Sequence, residues 1–590
     1  MKINYLLSGV LVFGSIGAQA QRHLVNHQVT DYREIYEPVV LAVPPADAGS
    51  GLIKLQNGEI RHYAGDVYGQ EVTNVAYIYS TDNGISWEEG HLRPGQIASD
   101  FQSPKTGEFY RLFSVRNDGL FFAKTEGGLD GKTIFDRINT SDTWLWPRRG
   151  IYIPEKNRIL FPCNADASGS VVYYTDDEGA SWQHSNWVSV PGPKVEGENQ
   201  SPRWQQLGVE PALVQLKDGR IWMILRTSRD SFYESFSEDF GETWSIPTPS
   251  RFYGTNTMPN IFRMEDGRLL FFWCNATPLP EFPKPSFMKY YLGYDIIEGV
   301  WEDVFTNRDV IHVAISDDDG KTWSGFRELY LTTQRNSSSY GTLGEGFDKS
   351  VHQSQAVELG EGKVLLSCGQ NSAFRRLIAF DVDWLYEKER TNDFSSGIDD
   401  VCVFQYISGK VGHCSLNRKV GANVVEGQGG EDNKVLHICN PMESRLVIEN
   451  QGATWNFPAG MKGEFSLDLY LTDEFKGAHI SLVDRWFNPV DTTAYKHAMY
   501  GIDIDAAAYL AKTIKLNRNE WYHIKLAWEP SAQNGQLSDC KISINGQEQR
   551  IKLPLINHTQ NGISYVHLQS RANEVDLGGF YVDNFVAKVE

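Results

Sequence analysis

Residues 315–323, ISDDDGKTW, set three carboxylates beside a glycine and a tryptophan. Aspartates at such spacing can bind a divalent cation or move protons. Three related segments decide between chemistry and architecture: STDNGISW from Ser80, TDDEGASW from Thr175 and SEDFGETW from Ser237, beside SDDDGKTW from Ser316. Three of the four follow Ser-x-Asp-x-Gly-x-(Ser/Thr)-Trp. The second reads one residue out of strict register, with Asp176 and Asp177 in place. The extra carboxylates vary in position among the copies, so no metal site is expected of them. Each copy follows an alternating or apolar run (VAYIYS, SVVYYT, DSFYESFS, VIHVAIS) and precedes a short strand-like segment. The pattern predicts a hairpin in which Gly84, Gly179, Gly241 and Gly320 take positive φ, an aspartate accepts backbone N–H groups, and a tryptophan packs beneath.

A second pattern runs before these hairpins, apolar strand, polar turn, apolar strand: GLIKLQNGEIRHYA, PALVQLKDGRIWMILR, NIFRMEDGRLLFFW and QAVELGEGKVLLSC. FQSPKTGEFYRLFSV and YIPEKNRILFPC are looser versions. Six such units lie between about residues 48 and 370, and four continue into the Asp-Gly-Trp hairpin. The expected architecture is all-β: a six-bladed β-propeller of four-stranded antiparallel sheets, with residues 22–45 available to close the ring. YEKERTNDFSSGI, around 386–398, is polar without strand periodicity and marks a boundary. Beyond it GEFSLDLYLT, AHISLVD, WYHIKLAW and FYVDNFVAKV predict a β-sandwich. The expected division is a signal peptide at 1–20, a propeller at 21–390 and a sandwich at 399–590.

The 590 residues give room for about two to four domains, and the 16 tryptophans supply a large core. The net charge of −20 argues against nucleic acid as a partner while leaving small acids open. Lys2, the apolar run at 5–17 and Ala18-Gln19-Ala20 form a cleavable export signal; the run is too short for a bilayer span. A secreted or periplasmic protein without membrane insertion is expected. Seven scattered cysteines contain no C-x-x-C pair, so neither structural zinc nor another cofactor is expected. Cys163, Cys274 and Cys368 end apolar runs and read as buried; a disulfide among the last four is open.

The repeated hairpins resemble the Asp boxes, or BNR repeats, of the sialidase superfamily over about residues 45–385. The resemblance implies that the boxes lie on the rim opposite the active site. Reactive groups then come from the starts of inner strands and the ends of second strands. In GVEPALVQLKDGRIWMILRTS it implies Glu210 as the active-site glutamate and Arg226 as an arginine that binds a sugar carboxylate. Arg308, before the third strand of the fifth blade, and Arg149, in WPRRGIYIP, are further anion-binding candidates. In HYAGDVYGQEV the general acid/base falls to Asp66, with Glu71 the other carboxylate.

Three departures accompany the resemblance. GSGLIKL has no arginine where the family carries Arg-Ile-Pro, His352 stands nearest the slot of the tyrosine nucleophile, and Asn275 stands where another arginine belongs. A histidine there can do acid/base work near neutral pH. The C-terminal segment resembles laminin-G or concanavalin A-like sandwiches through NEWYHIKLAWEP and CKISINGQ. The function implied is an exported exo-glycosidase that releases sialic acid or a related keto-deoxy or uronic acid. A non-catalytic glycan-binding propeller and a uronate polysaccharide lyase are the alternatives. In each case the partner is a glycan or polysaccharide.

Overall fold

A computed structural model of the chain describes residues 29–44, 51–64, 75–115, 117–128, 131–139, 144–165, 168–191, 206–277, 308–331, 336, 350–370, 375–410, 416–419, 421–427, 433–441, 450–491 and 493–590. Six antiparallel sheets follow one another to Asp381. Each buries both faces, one against each neighbouring blade, and apolar clusters fill the joints between successive blades.

Blade 1 spans Leu52–His91, blade 4 Leu207–Tyr253 and blade 5 Asn260–Leu331, each as a four-stranded sheet. Blade 3, from Ile151 to His184, carries an extra short strand, Leu145–Pro147. Blade 2 has three regular strands between Tyr110 and Asn139. Its inner position is taken by an irregular segment whose Phe101 and Ser103 exchange backbone bonds with Tyr110 and Glu108. In blade 6 the strands Gln355–Gly360, Lys363–Cys368 and Arg376–Asp381 are joined by Val39–Ala42, which pairs with Arg376–Asp381. The N-terminal segment thus supplies the outer strand of the last blade and closes the ring, as expected.

The four hairpins share one hydroxyl–aspartate–glycine turn, and in three of them the tryptophan Nε1 donates to the glycine carbonyl. In the last, Ser316 Oγ donates to Asp318, the N–H and Oγ1 of Thr322 donate to the same carboxylate, Gly320 N–H donates to Ser316 Oγ, and Trp323 Nε1 donates to the Gly320 carbonyl. The residue before each glycine is left-handed: Asn83, Glu178, Phe240 and Asp319 have φ of 57°, 58°, 60° and 65°. The second copy is in strict register, contrary to the sequence reading. Thr175 takes the serine place and Asp177 binds Ser181, because a hydroxyl on a β-branched carbon serves the turn equally well. Asp176 points away and pairs with Arg158.

The three carboxylates of ISDDDGKTW diverge. Asp318 ties its own turn. Asp319 accepts from Lys217 N–H and Arg263 Nη2, bracing blade 4 against blade 5. Asp317 accepts from Tyr386 Oη at 2.5 Å. The cluster is architecture.

The short 3-10 turn Val382–Tyr386 ends the propeller. Glu389–Asn392 then pairs with Phe585–Lys588, so the sandwich begins inside the stretch read as a linker. That strand is polar and lies at an edge, which hides it from a hydrophobic-alternation reading. An eight-stranded sheet and a six-stranded sheet enclose Trp455, Phe457, Phe465, Leu526, Val566 and Phe580. Six described cysteines are buried, Cys402, Cys439 and Cys540 among them, and no disulfide joins any two of them; Cys414 lies outside the described residues. Among the described residues no helix is long and apolar enough to cross a membrane.

Candidate active site

The inner strands line an axial cavity of about 1000 Å³. Asp100, Arg148, Arg149, Glu210, Met258 and Gln355 line it, as do Lys217, Glu265 and Glu358 from the inner-strand hairpins. The register fixes which end is which. In blade 4, Val209 pairs with Arg226, whereas Ile221 pairs with Ser237, the first residue of the box. Glu210 and Arg226 therefore sit at the end opposite the boxes, as the resemblance implies.

Glu210 lies in a bulge. The ladder shifts between Val209↔Arg226 and Ala212↔Ile224, and Glu210 takes a φ of 47° before Pro211. A left-handed glutamate ahead of proline is unfavourable by about 1–3 kcal/mol, and the bulge turns its carboxylate into the cavity. Its N–H donates to Asn164 Oδ1. Arg226 Nη1 donates to Oε2 at 2.5 Å and Arg148 Nη2 to Oε1 at 3.2 Å. Burial raises the carboxyl's pKa, but the charges of Arg226 and Arg148 outweigh it and hold the group down to about 2. Glu210 is a carboxylate at any physiological pH.

From Arg226 the network crosses two further blades. Arg226 Nε donates to Asn256 Oδ1 at 2.6 Å, and Arg308 Nη2 donates to the carbonyl of Asn256. Arg308 Nη1 lies 3.2 Å from His352 Nε2, which is 2.7 Å from Gln370 Oε1. Met258 N–H donates to His352 Nδ1, leaving Nε2 as the protonated nitrogen facing Gln370. Met258 and Gln370 thus engage both ring nitrogens, and Nε2–H faces the Arg308 Nη1 donor without accepting from it, so His352 is a buried, protein-bonded histidine beside Arg308.

On the opposite wall Gln355 joins three blades. Its Oε1 accepts the N–H groups of Gly51 and Leu52, and its Nε2 donates to Asp100 Oδ2 at 2.6 Å. Gln355 thus serves the start of the first inner strand, where the family's arginine is missing. Arg149 reaches the carbonyl of Ala356, Nη1 to O at 3.1 Å.

Glu210, Arg226 and Arg308 are thus linked through Asn256, His352 lies against Arg308, and Arg149 lines the same cavity as Glu210. Asn275 is not. It is fully buried, its Nδ2 donates to the Asp484 carbonyl, and its own carbonyl accepts from Trp486 N–H. The end of that strand is covered by the sandwich, so Asn275 is an interdomain contact and not a substrate ligand. Asp66 and Glu71 lie outside the described residues. Tyr253 is covered by Arg485, whose guanidinium lies 3.6 Å from its ring centroid. Sequence reasoning missed Arg148, Asp100, Asn256 and Gln355. The doublet Arg148-Arg149 was a visible signal for the first; the amides carry none.

A six-bladed propeller with boxes on one rim and an ion-paired carboxylate at the other end defines an Asp-box propeller. A family model described as "BNR repeat-like domain" matches residues 138–353, and one described as "BNR/Asp-box repeat" matches residues 78–89. Both matches fall within the propeller. No curated protein matches the sequence. Among solved structures the chain is similar to the Trypanosoma rangeli sialidase in complex with sialic acid, at 11% identity, with 94% of this chain and 91% of that chain covered and a TM-score of 0.33. It is also similar to a protein of unknown function from Dyadobacter fermentans, at 16% identity over 59% of this chain and 97% of that one, TM-score 0.37. A third is a mutant of the NanB sialidase from Streptococcus pneumoniae, at 12% identity over 62% of this chain and 71% of that one, TM-score 0.38.

Proposed function

We propose that the protein is an exported glycoside hydrolase that removes a terminal acidic sugar from a glycan. The observation that carries this reading is Glu210, held ionised by two arginines at the head of the axial cavity and linked through Asn256 to Arg308. Such a site has the cationic groups to bind a sugar acid and a fixed negative charge to oppose the positive charge that develops at the anomeric carbon. Asp66, in the segment that follows blade 1's second strand, is assigned the proton donated to the departing oxygen. Water then adds to the anomeric carbon and loses its proton to a carboxylate. His352, with both ring nitrogens engaged by protein groups, takes no proton in this scheme. Export rests on residues 1–20, which lie outside the described residues.

The test is release from a mixture of host and plant glycans, with mass analysis of the freed monosaccharide. Glu210→Gln and Arg226→Ala are each expected to lower kcat/KM at least about a hundredfold. Wild-type rates in both variants would refute the assignment. One observation favours a second reading, a non-catalytic glycan-binding propeller: both oxygens of Glu210 are already taken by arginines. Tight glycan binding with no product after long incubation would establish it.

A further inference from the structure

The sandwich turns only one of its two sheets to the propeller. The six-stranded sheet faces it: Asn456 and Tyr565, on its outer side, bond to the backbone of Glu328 and Phe326 and to His312. The eight-stranded sheet therefore shows its own outer face away from the propeller. Across that face four adjacent strands, Lys434–Asn440, Asp576–Val589, Gly463–Leu471 and Trp521–Trp528, each place an aromatic ring at one level. His437 stands opposite Tyr581, Tyr581 opposite Tyr470, and Tyr470 opposite Trp521. Alternation fixes the direction of the rings, because their neighbours Leu436, Ile438, Leu469, Leu471, Phe580 and Val582 fill the core between the sheets.

Ring centroids along the row lie 4.8, 5.7 and 5.3 Å apart, with tilts of 37°, 47° and 50° between successive planes. Tyr470, in the middle, is 7% exposed, and the other three are partly exposed. Tyr470 Oη donates to Asn519 Oδ1 at 3.3 Å, and His437 Nε2 donates to the Gly578 carbonyl at 2.7 Å. Trp521 Nε1 and Tyr581 Oη, by contrast, have no hydrogen-bond partner among the described residues and are not buried. On one flank of the row Asp468 stands opposite both Asp583 and His523. Its oxygens accept from His523 Nδ1 at 2.7 Å and from Asn584 Nδ2 at 2.9 Å, which fixes the carboxylate. On the other flank Gly579 and Thr472 add little bulk, the threonine hydroxyl being tied to the Gly579 carbonyl.

We propose that this row is a second carbohydrate site, which holds the neutral hexose chain of a polysaccharide. A pyranose presents a face of C–H groups that packs on an aromatic ring, and its hydroxyls bond to polar atoms at the ring's edge. Adjacent strands are about 4.8 Å apart, close to the length of one sugar unit. Rings at one level on adjacent strands therefore suit successive units of a chain lying across the sheet. Charge selects the class. Asp468 can accept from sugar hydroxyls, and with Asp583 beside it the flank repels a uronic or sialic acid. No lysine or arginine stands at the two levels that carry the row and these carboxylates. The site does not depend on the chemistry of the propeller.

Affinity electrophoresis of the full-length protein in gels containing galactan, xyloglucan or mixed-linkage glucan tests this, with polygalacturonate as the acidic probe. At least one neutral polysaccharide is expected to retard the wild type, and polygalacturonate is not. Trp521→Ala and Tyr581→Ala should each weaken the retarding interaction about tenfold, and Trp521→Phe should recover part of the loss, with melting temperatures near wild type. If Tyr581→Ala fails to fold, Trp521→Ala, at the first residue of its strand, carries the comparison. Glu210→Gln should bind as the wild type does. Retardation by none of the neutral polysaccharides, or equal retardation of wild type and ring variants, overturns the site. Loss of retardation in Glu210→Gln places the binding in the propeller and overturns it as well. Stronger retention by polygalacturonate overturns the neutral class.

Discussion

At the scale of residues, the site is an exchange of strain for position. Glu210 is left-handed ahead of a proline and sits between two guanidinium groups that make its ionised form favourable. The sign of the resulting pH dependence follows from its lowered pKa. Stability from this carboxylate is fully present above its ordinary value of 4.5 and is lost as pH falls towards about 2. Glu210→Gln removes that contribution and leaves two arginines facing an amide, a loss of about 1–3 kcal/mol at neutral pH. Urea unfolding at pH 7 and at pH 2.5 checks it: the gap between wild type and variant should be widest at pH 7 and narrow as acid is added. A gap independent of pH would mean that the arginines do not hold the charge. Glu210 and Arg226 were legible in the sequence because strand start and strand end fix their place on the axis. The choice between Arg148 and Arg149 was not legible, since neighbours in a turn before a strand have no alternation to sort them, and the structure uses both.

At the scale of elements, the hairpin motif told more than any candidate catalytic residue. Four boxes and six strand pairs sufficed to read a propeller, because the turn chemistry repeats even where the sequence between boxes does not. Blade 2 shows the limit: its inner segment, ASDFQSP, is irregular, and Asp100 went unnoticed within it. The strand at Glu389–Asn392 was missed for the opposite reason, being regular but polar. The boxes also permit a graded prediction. Asp318 accepts backbone and side-chain donors of its own turn, Asp319 braces two blades, and Asp317 receives one phenol near the surface. Alanine at Asp318 should cost about 1–3 kcal/mol, at Asp319 about 1–2, and at Asp317 less than about 1. Chemical denaturation of the three single variants orders them. Equal losses would refute the division of labour, and a stability gain on adding calcium to wild type would reopen the metal reading of the cluster.

At the scale of the whole molecule, the sandwich is joined to the propeller by buried polar bonds rather than by a loose linker. Asn275 N–H donates to His312 Nδ1, which leaves His312 Nε2–H to donate to Tyr565 Oη at 2.5 Å; Tyr565 in turn donates to Glu328 Oε1 at 2.8 Å. Burial pushes His312 down to about 3, so the ring is neutral and the direction of this chain is fixed. Around it, Asn456 bonds to the backbone of Glu328, Phe326 and Ser564. Separating the domains in the folded state would strand these paired groups. The two domains should therefore unfold together, in one calorimetric transition. Tyr565→Phe deletes the bridging hydroxyl and leaves Glu328 and His312 without it, which should lower the stability of that single transition by about 1–3 kcal/mol. Two resolved transitions in wild type, or a shift confined to one of two, would show that the sandwich is carried by the propeller without bracing it. Because Asn275 closes the end of a blade 5 strand whose neighbour begins just after Arg308, the same substitution is expected to lower activity on the released sugar without changing which sugar is released.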